Sequence, residues 1–355
     1  MSYLVGIDVG GTTSTVAIGN ENCEILYVSD QFDTNSAAGP GPLIHAVVEA
    51  ILKGLESLGG TGDEIAAVCI ATPGPATLDG VLLKTPNLKA EYWDRFNIRL
   101  ALENGLDGRG YHLDVQYIGD GQAAALGEYS VRSGKLTYSA MAAGTDIDPD
   151  LQSLFKVIVG TGLGGGEVRD GRVVRGREGR AGHAGHLLLP ADAFRYEHDR
   201  ELKVGNAFST VESAVSLTAL AHQLGYRLEL EEWRDHPLNS QPGTVRDKAK
   251  RLRELAAAGD TLAQQLFDDQ ARALGIALLD INYLGDYDMI VIGGGVCDLA
   301  PEVRSRYLRL AEESYREHAL DGFRNLEHFV FSACGDAAPV IGALANAYHS
   351  LEVAE

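Results

Sequence analysis

The chain opens on a short apolar run, Tyr3–Asp8, followed by Gly10-Gly11 and then by Thr12–Ile18, where β-branched residues alternate. That pattern predicts a strand, a glycine turn and a second strand. Cys23–Val28 continues as a third strand. In Pro42–Leu58 the apolar residues Leu43, Val47, Val48, Ile51, Leu52 and Leu55 recur at helical spacing, which predicts an amphipathic helix. Ile65–Ala71 reads as a buried strand ended by Thr72-Pro73-Gly74-Pro75. Val115–Ile118 reads as another, ended by Gly119-Asp120, with an alanine-rich helix starting over Gln122–Tyr129. Phe155–Val159 then repeats the opening: strand, glycine turn over Thr161–Gly166, strand. Such an internal echo is expected of a duplicated, two-lobed α/β fold. Ser130–Gln152 is polar and irregular and reads as a surface excursion. Helices are predicted over Ser213–Leu224, Val245–Ala258, Thr261–Asn282, Pro301–His318 and Ala338–Glu352, and strands over Met289–Ile292 and Phe329–Ala333.

A chain of 355 residues, 45% of them hydrophobic, suits two medium cores better than one large one. Its formal net charge of −20 comes from 50 acidic and 30 basic residues. That balance argues against a nucleic-acid groove, which needs a basic surface, and against docking on anionic membranes. The four cysteines, Cys23, Cys69, Cys297 and Cys334, show no CxxC spacing, so neither a zinc knuckle nor a dithiol redox motif is expected. They fit a reducing compartment. The N-terminal segment lacks the basic region of a signal peptide, and no apolar run approaches the length of a membrane span. A cytoplasmic protein is expected.

The chemistry sits at the glycine turns. The first is Asp8-Val9-Gly10-Gly11-Thr12-Thr13; the second is Gly160-Thr161-Gly162-Leu163-Gly164-Gly165-Gly166. Glycine lets a phosphate approach backbone N–H groups closely, and threonine hydroxyls add donors. One such turn is also what an ordinary hairpin needs; two in the same context suggest two loops on one polyphosphate. Asp8, at a strand end, is suited to hold a hydrated Mg²⁺. P-loop and Rossmann fingerprints do not fit, because neither GK[ST] nor a strand-turn-helix context is present.

Taken in order, these motifs resemble the ROK family of sugar kinases, built on the two-lobed actin/hexokinase-like ATPase fold with duplicated βββαβαβα domains. Gly6–Thr12 resembles the family's first phosphate motif, Thr72–Pro75 its PGP turn, and Pro86-Asn87-Leu88 with Trp93 its sugar-side loop. Gly119–Glu128 resembles its ND-x-N-AAA-x-GE segment, and Gly160–Gly166 its second phosphate loop. Ala181–His186 resembles AGE-x-GH, Ile292–Val296 with Gly294 and Gly295 the adenosine-side motif, and Gly335–Ala338 with Gly342-Ala343 the C-terminal signature. The resemblance implies phosphorylation of a sugar hydroxyl with ATP and Mg²⁺ and with Asp120 as general base. ATP would be held at Gly10, Gly11, Thr12, Thr13, Thr161, Gly162, Gly164, Gly165, Gly294 and Gly295. The sugar would be held at Asn87, Gly119, His183, His186 and Glu212. It also implies a homodimer, with lobes 1–119 plus 338–355 and 120–337. Each assignment has a plainer counterpart. Asp120 is suited to start a helix, Asn87 to a turn after Pro86, and Glu212 to favour a helix dipole.

Three departures stand out. The family's cysteine-rich zinc motif is absent, since Leu187–Glu212 holds no cysteine, and a metal-free loop is expected over a site built from His183, His186, His198 and Asp199 or Glu201. The glutamate of AGE-x-GH is His183, and the asparagine before Asp120 is Gly119. These changes leave nucleotide binding intact and point to an altered acceptor. The alternative is a degenerate, ligand-binding regulator acting through a partner protein; the DNA-binding segment of family repressors is not expected here.

Overall fold

The computed structural model describes residues 2–83, 88–323 and 329–352. Asn87 lies outside them. Contact clustering divides the chain into two units. The first comprises 1–156, 166–182 and 333–355, the second 157–165 and 183–332.

The first unit begins with β1 (Tyr3–Val9), β2 (Thr13–Asn20), β3 (Ile25–Val28) and the two-residue β4 (Phe32–Asp33), and continues with α1 (Pro40–Ser57) and β5 (Ile65–Thr72). The short α2 (Ala90–Trp93), α3 (Ile98–Asp107), β6 (Val115–Gly119) and α4 (Asp120–Arg132) follow. Its sheet has the order β3-β2-β1-β5-β6, with β4 beside β2. β1 is antiparallel to β2 and parallel to β5, and β5 is parallel to β6. Helix α1 starts on Pro40, whose missing N–H costs nothing at a first turn. It buries Leu43, Ile44, Val47, Val48, Ile51 and Leu55. Each buried aliphatic side chain of that face contributes roughly 1.5–3 kcal/mol. Trp93, in the expected sugar-side loop, is wholly buried in the same core and donates its indole N–H to the Ser36 carbonyl at 2.8 Å.

β7 (Ser153–Val159), β8 (Leu163–Arg169) and β9 (Arg172–Val173) open the second sheet. In the second unit come α5 (Val211–Ala214), α6 (Leu217–Glu229), α7 (Val245–Lys250), α8 (Leu252–Ala257) and α9 (Thr261–Gly285), then β10 (Met289–Gly294), α10 (Pro301–His318) and β11 (Phe329–Phe331). The helix expected over Val245–Ala258 is broken at Arg251 into α7 and α8. The sheet order, β11-β10-β7-β8-β9, repeats that of the first. In both, three successive strands lie on one side and two crossover strands on the other. This is the duplicated actin-like ATPase topology. Among the described residues no helix is long and apolar enough to cross a membrane.

The closing helix α11 (Ala338–Glu352) belongs to the first unit and lies on α4, β1 and β5. Glycines make that approach possible. A Cβ on Gly342 would stand 1.7 Å from the Ala123 carbonyl oxygen, one on Gly127 2.2 Å from that of Ala338, and one on Gly6 2.3 Å from the Leu344 amide. This packing groups α4 with the N-terminal strands in the first unit. At the heart of the first unit Glu128 has no exposure. Its carboxylate accepts from Arg132 Nε at 2.8 Å, Lys156 Nζ at 3.0 Å and the Ala333 amide at 2.6 Å.

Candidate active site

Three parallel strands of the first unit end side by side. Asp8 of β1 pairs with Ala71 of β5, and the next residue of β5, Thr72, pairs with Gly119 of β6. Ligands of open α/β sheets gather at such carboxyl ends. Asp8 and the row of Ile118 stand two strand spacings apart, about 10 Å.

Between β1 and β2 the chain turns with Gly10 N–H bonded to the Thr13 carbonyl at 2.9 Å. A Cβ on Gly10 would meet that oxygen at 2.7 Å, so only glycine closes this turn. The amides of Gly11 and Thr12 at its tip have no acceptor among the described residues. Neighbouring N–H groups left open in a turn form a nest for an anion. Asp8 lies two residues before Gly10, in β1. Its Oδ1 is buried without a hydrogen-bond partner. Burial first, and then the negative charge of Asp120, push its carboxyl up to about 8.

Asp120 is the first residue of α4, and its Oδ1 accepts from the Gly121 amide at 2.7 Å. It therefore does serve the helix end, with a carboxylate that remains titratable. Burial raises its pKa to about 6, against the lowering effect of the Gly121 hydrogen bond. Gly119 presents no side chain to the site. Gln122, one residue beyond Gly121, donates its amide to the carbonyls of Gly179 at 3.2 Å and Ala181 at 3.1 Å. It tethers the loop that leads from β9 to His183, a role that no motif in the sequence announced.

The second unit holds the matching turn. Gly160 N–H bonds the Gly162 carbonyl at 2.9 Å, and the amides of Thr161 and Gly162 are left open as in the first turn. Gly164, Gly165 and Gly166 belong not to the turn but to β8. Glu212, on α5, accepts the Leu163 amide on Oε2 at 2.7 Å and so pins this hairpin from beneath. His183 and His186 flank a single turn of 3-10 helix; both are exposed, with ring centroids 6.3 Å apart. Gly185 brings that turn against β8, since a Cβ there would stand 2.3 Å from the Leu163 carbonyl oxygen. Glu212, the two histidines and the second glycine turn are thus gathered at one place. The segment between them is fixed by a bidentate pair, Asp199 with Arg227, both contacts 2.7 Å, and by the Tyr196 ring 4.2 Å from the guanidinium. His198 is stacked between the rings of His222 and Tyr226 at 4.1 and 4.4 Å.

A cavity of about 260 Å³ opens beside the Gly160-Thr161 turn. Leu217, Leu220, Phe267 and Val296 form its apolar walls, and Lys250 and Arg253 bring positive charge. Gly295 lines it too. Gly294, at φ +79°, lies so close to β7 that a Cβ would meet the Val159 oxygen at 2.5 Å. Sequence reasoning missed the lining residues of α6, α7 and α9, because at helical spacing they read only as core.

The ROK family model matches residues 4–349. The chain belongs to the ROK family. Among ROK relatives, the glucokinase of Halalkalibacterium halodurans is 26% identical over 349 residues, covering 96% of this chain and 93% of that one. The ROK hexokinase of Thermus thermophilus superposes with a TM-score of 0.75 at 27% identity, covering 99% of both chains. The ROK glucokinase of Streptomyces griseus, solved with glucose and AMPPNP, gives a TM-score of 0.71 at 24% identity, covering 98% of this chain and all of that one.

Proposed function

We propose that this protein is an ATP-dependent sugar kinase with Asp120 as its general base. The observation that carries the reading is Asp120 itself: a carboxyl on the first residue of α4, directly after the carboxyl end of the parallel strand β6, tuned by burial to about 6. A base of that pKa is ionised at neutral pH and still basic enough to accept the proton of an attacking hydroxyl. Two hairpins, one in each unit, offer the same pair of open amides to phosphate oxygens. The apolar cavity in the second unit has the character of a slot for a nucleotide base, with Lys250 and Arg253 at hand for anionic groups. Membership of a family with named glucokinases and hexokinases supports the acceptor class.

The residues present fit Mg²⁺. Asp8 carries a buried oxygen with no partner and a pKa raised by burial and by Asp120, both of which a divalent cation would relieve. Asp8 would hold the ion through water, and when bound it neutralises phosphate charge. The remaining work is positioning. Gly119, His183, His186 and Asn87 are assigned to the acceptor, together with Oε1 of Glu212, whose other oxygen is committed to Leu163.

The test is ADP release coupled to a spectrophotometric readout across aldohexoses, ketohexoses, N-acetylated amino sugars and polyols. Turnover with at least one acceptor is expected. Bound nucleotide without turnover on any of them would replace the kinase by a ligand-binding regulator. The pH profile follows from Asp120. Only its ionised form accepts a proton, so kcat/KM holds above pH 6 and falls about tenfold per unit below it. A profile flat down to pH 5 contradicts the assignment.

A further inference from the structure

The first unit holds a second concave region built from β9, the beginning of β6, and the last turns of α11. Two cavities, of about 300 and 400 Å³, share Arg172 and His349 in their walls and so form one furrow. Gln116, Arg175, Asn346 and Ser350 complete the larger cavity; Ser130, Lys135, Asp170 and Tyr348 are among the residues of the smaller. None of them belongs to the kinase site described above.

Its charge runs against that of the molecule. In a chain of net charge −20, three permanent cations and a histidine line the furrow against one carboxylate, Asp170. Those cations are not consumed by ion pairs. The Arg172 side chain has no hydrogen-bond or ion-pair partner among the described residues; its backbone pairs with Arg169 in the β8–β9 ladder. The Lys135 ammonium lies 5.1 Å from the centre of the Tyr129 ring. Arg175 donates a terminal nitrogen to the Tyr117 carbonyl, and its Nε is buried with no acceptor. Guanidinium groups with donors to spare suit a phosphoryl group, whose oxygens they meet in pairs. The rest of the lining supplies a different chemistry. The amides of Gln116 and Asn346 and the hydroxyls of Ser130, Ser350 and Tyr348 are polar; Tyr348, Ser350 and Asn346 donate to the Asn20 carbonyl, the Ala347 carbonyl and the Cys69 sulfur and keep their oxygens as acceptors for hydroxyl groups. Both cavities fall within the range that takes a small metabolite.

We propose that this furrow binds a phosphorylated sugar, and that the bound phosphate is sensed at the active site through Arg175. The route is short. Arg175 holds the carbonyl of Tyr117 in β6, and the same strand ends at Gly119, directly before Asp120. An anion that draws the guanidinium toward the furrow loosens the strand that carries the base. The binding part stands alone; the regulatory part rests on the kinase reading, and makes the furrow a feedback site for the class of compound that the kinase would produce.

Glucose 6-phosphate is the probe, titrated calorimetrically into the full chain with glucose and AMPPNP saturating, so that the catalytic site is filled. One equivalent is expected to bind, with glucose alone giving no signal and inorganic phosphate competing weakly. Arg172→Glu and Arg172→Ala, verified as folded by thermal melting, are expected to weaken binding by about tenfold or more, the value of a charged hydrogen bond. Their kinase activity without the probe is expected to match that of the unaltered chain. No binding to the unaltered chain, or equal binding to both variants, overturns the proposal. For the regulatory part, glucose 6-phosphate is expected to lower kcat without being competed by glucose, and to lose that effect in Arg172→Glu. Binding in the furrow with no change in rate removes the coupling and leaves the site.

Discussion

Replacing Asp120 by Asn is expected to lower kcat by roughly 10²–10⁴-fold, the usual contribution of a positioned general base. Nucleotide affinity is expected to stay within a few-fold. The substitution separates the two tasks that this residue performs. The Asn side-chain oxygen still accepts the Gly121 amide, as Asp120 Oδ1 does at 2.7 Å, so the first turn of α4 keeps its partner. What is lost is the ability to take a proton. A steady-state comparison of the two proteins on the best acceptor, with nucleotide binding measured separately, decides it. A loss of only a few-fold would leave Asp120 as a helix-end residue and move the base elsewhere.

Glu128→Ala is expected to destabilise the first unit by about 3–5 kcal/mol, the cost of breaking a buried ion pair by removing one partner. Glu128 answers three donors: Arg132, Lys156 and the backbone amide of Ala333. The side chains of Arg132 and Lys156 are 7% and 2% exposed, so deletion removes the carboxylate from two cations held away from water. At roughly 2–4 °C per kcal/mol for a domain of this size, the Tm falls by about 10 °C. The sign reverses in part if Lys156 is changed to Met in the same chain, because one stranded charge is removed with it. A melting temperature within 2 °C of the unaltered chain would show that the cluster is solvated or replaceable.

The local patterns were legible where a single periodicity ran long enough. The strand expected at Tyr3–Asp8 is β1, the alternation of Thr12–Ile18 is β2, and the apolar stripe of Pro42–Leu58 is α1. The two glycine turns were legible as turns between strands, and Asp120 as a helix start, where its Oδ1 does accept the Gly121 amide. What escaped depends on contacts across the chain. Gly166 reads as part of a turn, yet it lies in β8, where a Cβ would stand 2.4 Å from the Gly121 carbonyl oxygen. Close approach and turning demand the same residue, and sequence does not separate them. Glu212 was singled out for a sugar; the structure adds its hold on Leu163, a hydrogen bond across 49 positions. Gln122 lay inside a motif that gave it no role of its own and Arg175 lay in none, and their partners lie 57 to 59 residues away. Their functions became visible only with the carbonyls that they meet.

The place of α11 bears on how the protein is made. The strand that carries Asp8 leaves the ribosome before the second unit, but the helix that covers it emerges after that unit. The second unit is complete at residue 332, before any of α11 is available. During synthesis the first sheet therefore waits with its α11-facing residues uncovered while the whole second unit is made.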